Sequence, residues 1–142
     1  MLARLACAAS TLGLLLASGA APAVAYEAGS MEARAVIQRQ LDAFKHNDAD
    51  SAFALASPSL KETYANPKNF LDSVRSGETP FFKRRIIEYH DFVTAGDDAA
   101  QSLVLVDEDS NVWTVVYKLA RQPDGSWLVD GVVLVKSGAV DA

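Results

Sequence analysis

Residues 117–131 read Tyr117-Lys118-Leu119-Ala120-Arg121-Gln122-Pro123-Asp124-Gly125-Ser126-Trp127-Leu128-Val129-Asp130-Gly131. Pro123 presets the first corner of a type I turn, and Gly125 supplies the left-handed residue that closes it with a bulge. The flanking runs alternate as strands do, so the segment reads as a β-hairpin. Ser126 then faces Gln122, and that register puts Trp127, Val129, Gly131, Val133 and Val135 on one face with Trp113, Val115, Tyr117 and Leu119. It sets Tyr117 opposite Gly131 and Lys118 opposite Asp130. A left-handed Asn111 in the preceding turn adds Leu103 and Leu105 to the same face. A face so apolar needs a cover of helices.

Working outward, Ala95-Gly96-Asp97-Asp98 and Asp107-Glu108-Asp109-Ser110-Asn111 are two further turn clusters. They divide the chain after Thr79-Pro80 into four strands of about 9 to 11 residues, and connections this short imply an antiparallel meander. The opposite face carries Val104, Val116, Val132 and Leu134 beside the Lys118–Asp130 pair. It is too apolar to stay wet, and two-fold pairing with a second copy is the expected cover.

Before Thr79 the signals are helical. Ser30 reads as an N-cap and Glu32 suits the positive helix start. Ala33, Ile37, Leu41 and Phe44 recur at helical spacing, which predicts a helix from about Met31 to Lys45. Asn47 tolerates a left-handed stop, and Asp48 caps a short helix bearing Phe53 and Leu55. Ser57-Pro58 and Asn66-Pro67 each place a capping side chain before a proline at the first helical position, where its missing N–H costs nothing. The second of these helices presents Phe70, Leu71 and Val74 and ends near Gly77. The fold class is therefore α+β, with N-terminal helices packed on a curved four-stranded antiparallel sheet.

The first residues form a separate unit. Arg4, the apolar run Leu5 to Ala17 and the small residues Ala23-Val24-Ala25 have the pattern of a cleavable signal peptide. The run is shorter than the roughly 20 residues a bilayer-spanning helix needs. Cleavage after Ala25 leaves residues 26–142 as one periplasmic or secreted domain, a size that buries a core without staples. Cys7, the only cysteine, departs with the leader, so the mature chain has no thiol chemistry. The full chain carries 13 basic and 18 acidic residues, net −5, without a basic block, so nucleic acid and anionic membranes are poor partners.

The helix Ile37 to Phe44 leading into His46-Asn47-Asp48, then Ala52-Phe53-Ala54-Leu55-Ala56-Ser57-Pro58, and the closing Tyr117-Lys118-Leu119 with Asp124 to Gly131, resemble the nuclear transport factor 2-like superfamily, which includes the SnoaL-like enzymes. The resemblance covers nearly the whole mature chain and implies a cone-shaped fold. More narrowly, Ala-Ser-Pro after the second helix and Asp-Gly-Ser-Trp in the last hairpin resemble a bacterial exported family of unknown function. That likeness implies cysteine after Gly131, where this chain has Val132. Superfamily enzymes place an acid or base, often Asp, His or Tyr, inside the cone, and the candidates here are His90, Asp91 and Tyr117.

His90 and Asp91 are strand neighbours and point to opposite faces. A two-residue loop at Gly96-Asp97 turns His90 inward, and a loop one residue longer turns Asp91 inward. Trp113, Tyr117 and Trp127 are candidate cone-lining residues, although a buried tyrosine or tryptophan is commonly structural. His46 falls in an interhelix loop, as a helix cap or a solvent-facing ring. Two histidines without ligand spacing imply no metal, and Asp107, Glu108 and Asp109 lack the rest of a calcium loop. Ser126 sits in no nucleophile elbow. Lys83-Arg84-Arg85 reads as a solvated strand entrance. No cofactor is implied.

Three functions fit these residues. One is a non-catalytic module binding a small apolar ligand or a partner protein. The second is a SnoaL-like lyase or isomerase with His90 or Asp91 as base and Tyr117 as hydrogen-bond donor. The third is a structural homodimer whose cone is packed solid.

Overall fold

The structure, a computed structural model, describes residues 22–77 and 80–139. Arg4, Cys7 and the apolar run of the expected signal peptide lie outside the described residues. Four helices, α1 (Pro22–Lys45), α2 (Ala49–Ala54), α3 (Pro58–Tyr64) and α4 (Pro67–Ser76), precede four strands. These are β1 (Arg84–Ala95), β2 (Asp98–Asp107), β3 (Asn111–Arg121) and β4 (Trp127–Ala139). The strands pair antiparallel in the order β1-β2-β3-β4, so the chain is α+β with its helices before an open meander sheet.

The local signals act as the residue types require. Asp48, Ser57 and Asn66 cap α2, α3 and α4, accepting from the N–H of Ser51, Leu60 and Asn69 at 3.1, 3.2 and 2.8 Å. Asn47 is left-handed at φ 54°, and Gly125 at φ 85° closes the last hairpin. There Gly125 N–H donates to the Gln122 carbonyl and Gln122 N–H to the Ser126 carbonyl, both at 2.8 Å. In the preceding turn Ser110, not Asn111, is left-handed, because Asp107 accepts from both the backbone and the side chain of Asn111 and holds it in β3. α1 begins at Pro22, so Ser30 is not its N-cap but a buried interior residue. The Ala-rich stretch before Met31 favours helix, and the Tyr26 hydroxyl ties it to the Phe92 carbonyl at 2.6 Å. No helix among the described residues is long and apolar enough to cross a membrane.

One layer of helices covers the inner face of the sheet. Ile37, Leu41, Leu103, Leu105 and Val115 are fully buried between the layers, with Trp127, Leu119 and Val129 all but closed. Each such aliphatic side chain contributes about 1.5–3 kcal/mol by leaving water.

The hairpin register holds as far as Leu119 opposite Val129, and then shifts. Asp130 is an extra residue in β4, so Lys118 pairs with Gly131, Tyr117 with Val132 and Val116 with Val133. Such a bulge turns every later side chain to the other face. Val132 and Leu134 therefore join the inner layer, while Val133 and Val135 stand outside, 54% and 57% exposed. The expected outer strip is corrected accordingly to Val104, Val116, Val133 and Val135. The expected Lys118–Asp130 pair is replaced by a bond to α3: the Ser57 hydroxyl donates to the Asp130 carboxylate at 2.6 Å.

Candidate functional site

A second bulge decides the fate of the residues that look most reactive. Gly96, at φ 60°, makes the two-residue loop with Ala95 paired to Asp98, the arrangement that would turn His90 inward. Between Tyr89 and Phe92, however, the strand gains a residue, and Tyr89 pairs with Leu103 while Phe92 pairs with Gln101. Both aromatic residues thus lie on the inner layer, and His90 and Asp91 are exposed on the bulge. The cause is on β2: the Gln101 amide reaches the carbonyls of His90 and Asp91 at 3.2 Å each, and Ser102 Oγ accepts from Asp91 N–H at 3.0 Å. His90 keeps only an exposed contact with Glu88 at 3.3 Å, a geometry of little energetic weight.

Tyr117 is inward and fully buried. Its hydroxyl has no hydrogen-bond partner among the described residues, and burial raises its pKa far above the ordinary tyrosine value; the nearby Tyr89 adds to this and Arg84 opposes it. Held protonated and sealed in the core, it is separated from His90 and Asp91 on the outer bulge. Trp113 and Trp127 are core residues as well. Trp113 donates through Nε1 to Asp107 at 3.0 Å, and Trp127 lies under the Arg121 guanidinium at 4.3 Å, beside a shallow groove shared with α1.

A partly enclosed concavity lies elsewhere, between α3, α4 and the bulged strand. It measures about 320 Å³, within the roughly 300–1,000 Å³ common for small-molecule sites. On the sheet side it is walled by Val129, Gly131, Val132 and Leu134. The Asp130 bulge creates this wall, since without it Val132 and Leu134 would point away. Leu60 and Tyr64 of α3, with Phe70, Ser73 and Val74 of α4, close the other side. Gln40, Phe44 and Phe81 complete it, Phe44 stacking on Phe81 with centroids 5.5 Å apart. Gln40 is 1% exposed and Phe44 2%, so they stand at the buried end, whereas Ser73 lies at the open rim. Among the described residues no charged side chain lines the space.

Of two other polar groups, Arg84 differs from expectation and His46 takes the helix-cap place open to it. Arg84, read as part of a solvated entrance, has a side chain only 7% exposed that donates to the Leu41 carbonyl at 2.8 Å and to Asp42. It meets the negative C-terminal end of α1, which favours a cation. His46 caps the same end, its Nδ1 2.7 Å from the Asp42 carbonyl. His46 also borders a broad, open surface groove with Arg39, Asp48 and Ser51. Among the described residues no group of His, Cys, Asp and Glu is arranged to hold a metal ion.

Sequence reasoning missed Gln40 and the cavity. Gln40 falls on the same helical stripe as Ala33, Ile37 and Phe44, which was the available signal. The cavity depends on the register shift at Asp130, which no local pattern marks.

A class follows from this architecture: a small α+β domain with an apolar cavity between short helices and a terminal hairpin. The chain belongs to the family described as a domain of unknown function (DUF4864), whose model matches residues 27–142. No curated protein gives a significant match.

Proposed function

We propose that this protein is an exported, non-catalytic module that takes a small, largely apolar ligand in the cavity between α3, α4 and β4, on a fold of the nuclear transport factor 2-like type. The cavity itself carries this reading: a space of about 320 Å³ with aromatic and aliphatic walls and few polar groups has the make-up of a small-molecule site. The reading as a lyase or isomerase is weaker, because its base and its donor fall on opposite sides of the sheet. Export is compatible with the N-terminal contacts, since cleavage after Ala25 leaves Tyr26 and its bond to Phe92 in the mature chain. Native mass spectrometry of protein purified from its own periplasm tests the proposal. A bound small molecule that is absent from Val132→Trp, which fills the cavity, supports it; a wild type that never carries or takes up an apolar molecule overturns it.

A second reading rests on the outer face. Val133, Val135 and Ile86 are 54%, 57% and 48% exposed there, adjoining the half-buried Val104 and Val116. We read this strip as the contact of a two-fold homodimer. It is compatible with the first reading, since the cavity opens on the opposite face.

A further inference from the structure

Resting on the cavity reading above, we infer that the ligand is an uncharged amphiphile, an alkyl or aryl body ending in a hydroxyl, and that Gln40 is the residue that reads the hydroxyl. Among the described residues Gln40 is the one polar side chain at the buried end of the cavity. Its Nε2 donates to the Ala52 carbonyl at 3.2 Å, which fixes the amide so that nitrogen faces α2 and Oε1 is the other end. No hydrogen bond to that oxygen occurs among the described residues. Nor is it sealed away: among the described residues the buried polar atoms without partners are Gln101 Oε1, the Tyr117 hydroxyl and Trp127 Nε1, and Gln40 is not among them. An amide oxygen in a residue that is 1% exposed and lines a largely apolar cavity has its hydrogen-bonding capacity unused.

The chemistry of the missing partner follows. It must donate, since Oε1 only accepts. A hydroxyl donates to Oε1 and still accepts from the second Nε2 hydrogen. A carboxylate offers no proton, and the described lining residues include no lysine or arginine to balance its charge, so its desolvation is uncompensated. An ammonium fares no better without a lining carboxylate. The volume equals that of about ten waters in the liquid, which suits a body of roughly that many heavy atoms.

The test is calorimetric titration of the purified protein, stripped of co-purifying small molecules, with three probes of similar length: 1-octanol, methyl heptyl ether and octanoate. Octanol is expected to bind about tenfold more tightly than the ether, which accepts but cannot donate, and octanoate at least tenfold more weakly than octanol. In Gln40→Leu the octanol-to-ether ratio is expected to fall to about one, and in Val132→Trp all three probes are expected to lose binding. Equal binding of octanol and ether by the wild type overturns the role of Gln40 and leaves cavity binding standing. Failure of all three to bind, or binding unchanged in Val132→Trp, overturns both. Should Gln40→Leu fail to fold, the wild-type comparison decides the matter alone.

Discussion

The Ser57 hydroxyl donates to the carboxylate of Asp130 at 2.6 Å while the same oxygen accepts from Leu60 N–H at 3.2 Å. One serine therefore starts α3 and anchors the bulge that lets Val132 and Leu134 wall the cavity. The backbone repeats the tie on either side: Val129 N–H donates to the Leu55 carbonyl at 2.9 Å, and Ser57 N–H to the Val129 carbonyl at 2.7 Å.

Removing this serine should affect stability and binding together. Ser57→Ala loses a helix cap and a charge-assisted bond, an expected cost of about 1–3 kcal/mol. In a double-mutant cycle by urea denaturation, Ser57→Ala and Asp130→Ala should couple by about 0.5–1.5 kcal/mol. Strictly additive effects would show that the two side chains do not cooperate.

Asp107 makes the fold sensitive to acid. Burial pushes its pKa up, but hydrogen bonds from Trp113, Asn111 and the backbone of Asp109 outweigh that and hold it below the ordinary carboxylate value. The unfolded chain therefore binds more protons near that value. The contribution of Asp107 is fully present above about pH 5 and is lost as pH falls through 4 and below. Thermal melts from pH 7 to pH 3 should show Asp107→Asn to be less stable than wild type at neutral pH, with the gap narrowing in acid. A gap that stays constant across this range would exclude a proton-linked role.

Trp127 is the largest fully buried side chain, 1% exposed, in edge contact with Phe92 at 6.3 Å. Trp127→Ala should cost about 3–5 kcal/mol, a large share of a small domain's total. A loss below about 1 kcal/mol in a denaturant melt would contradict its place in the core.

The two faces of β4 predict opposite consequences for neighbouring substitutions. Val133→Glu and Val116→Glu lie on the outer strip and should convert a sedimenting dimer to a folded monomer. Val132→Glu places a charge in the cavity wall and should lower the melting temperature instead. A wild type that remains monomeric at high micromolar concentration removes the dimer.

How far these features could be read in advance depends on the distance over which each is specified. The caps at Asp48, Ser57 and Asn66, the left-handed Asn47 and Gly125, and the hairpin register as far as Val129 are set by residues within four positions of one another. Their geometry follows from short side chains, prolines and a glycine acting on the adjacent backbone. The inner placement of Tyr117 follows from alternation measured outward from the last turn, and Leu103 and Leu105 share that face although Ser110 rather than Asn111 is the left-handed residue between β2 and β3.

The bulges at His90-Asp91 and at Asp130 are different in kind. His90 and Asp91 leave the inner face because Gln101 and Ser102, on the neighbouring strand, bond their backbone, and Asp130 becomes an extra residue where β4 meets Ser57, 73 positions earlier in the chain. Alternation predicts a side chain's face only while the strand stays regular, and a single inserted residue inverts every assignment beyond it. Turns, caps, strand count and the apolar layer were thus settled locally by residue chemistry. The cavity, the buried Gln40, the covered Arg84 side chain and the exposure of His90 arose only when distant segments packed, because each depends on a partner that the local chain does not contain.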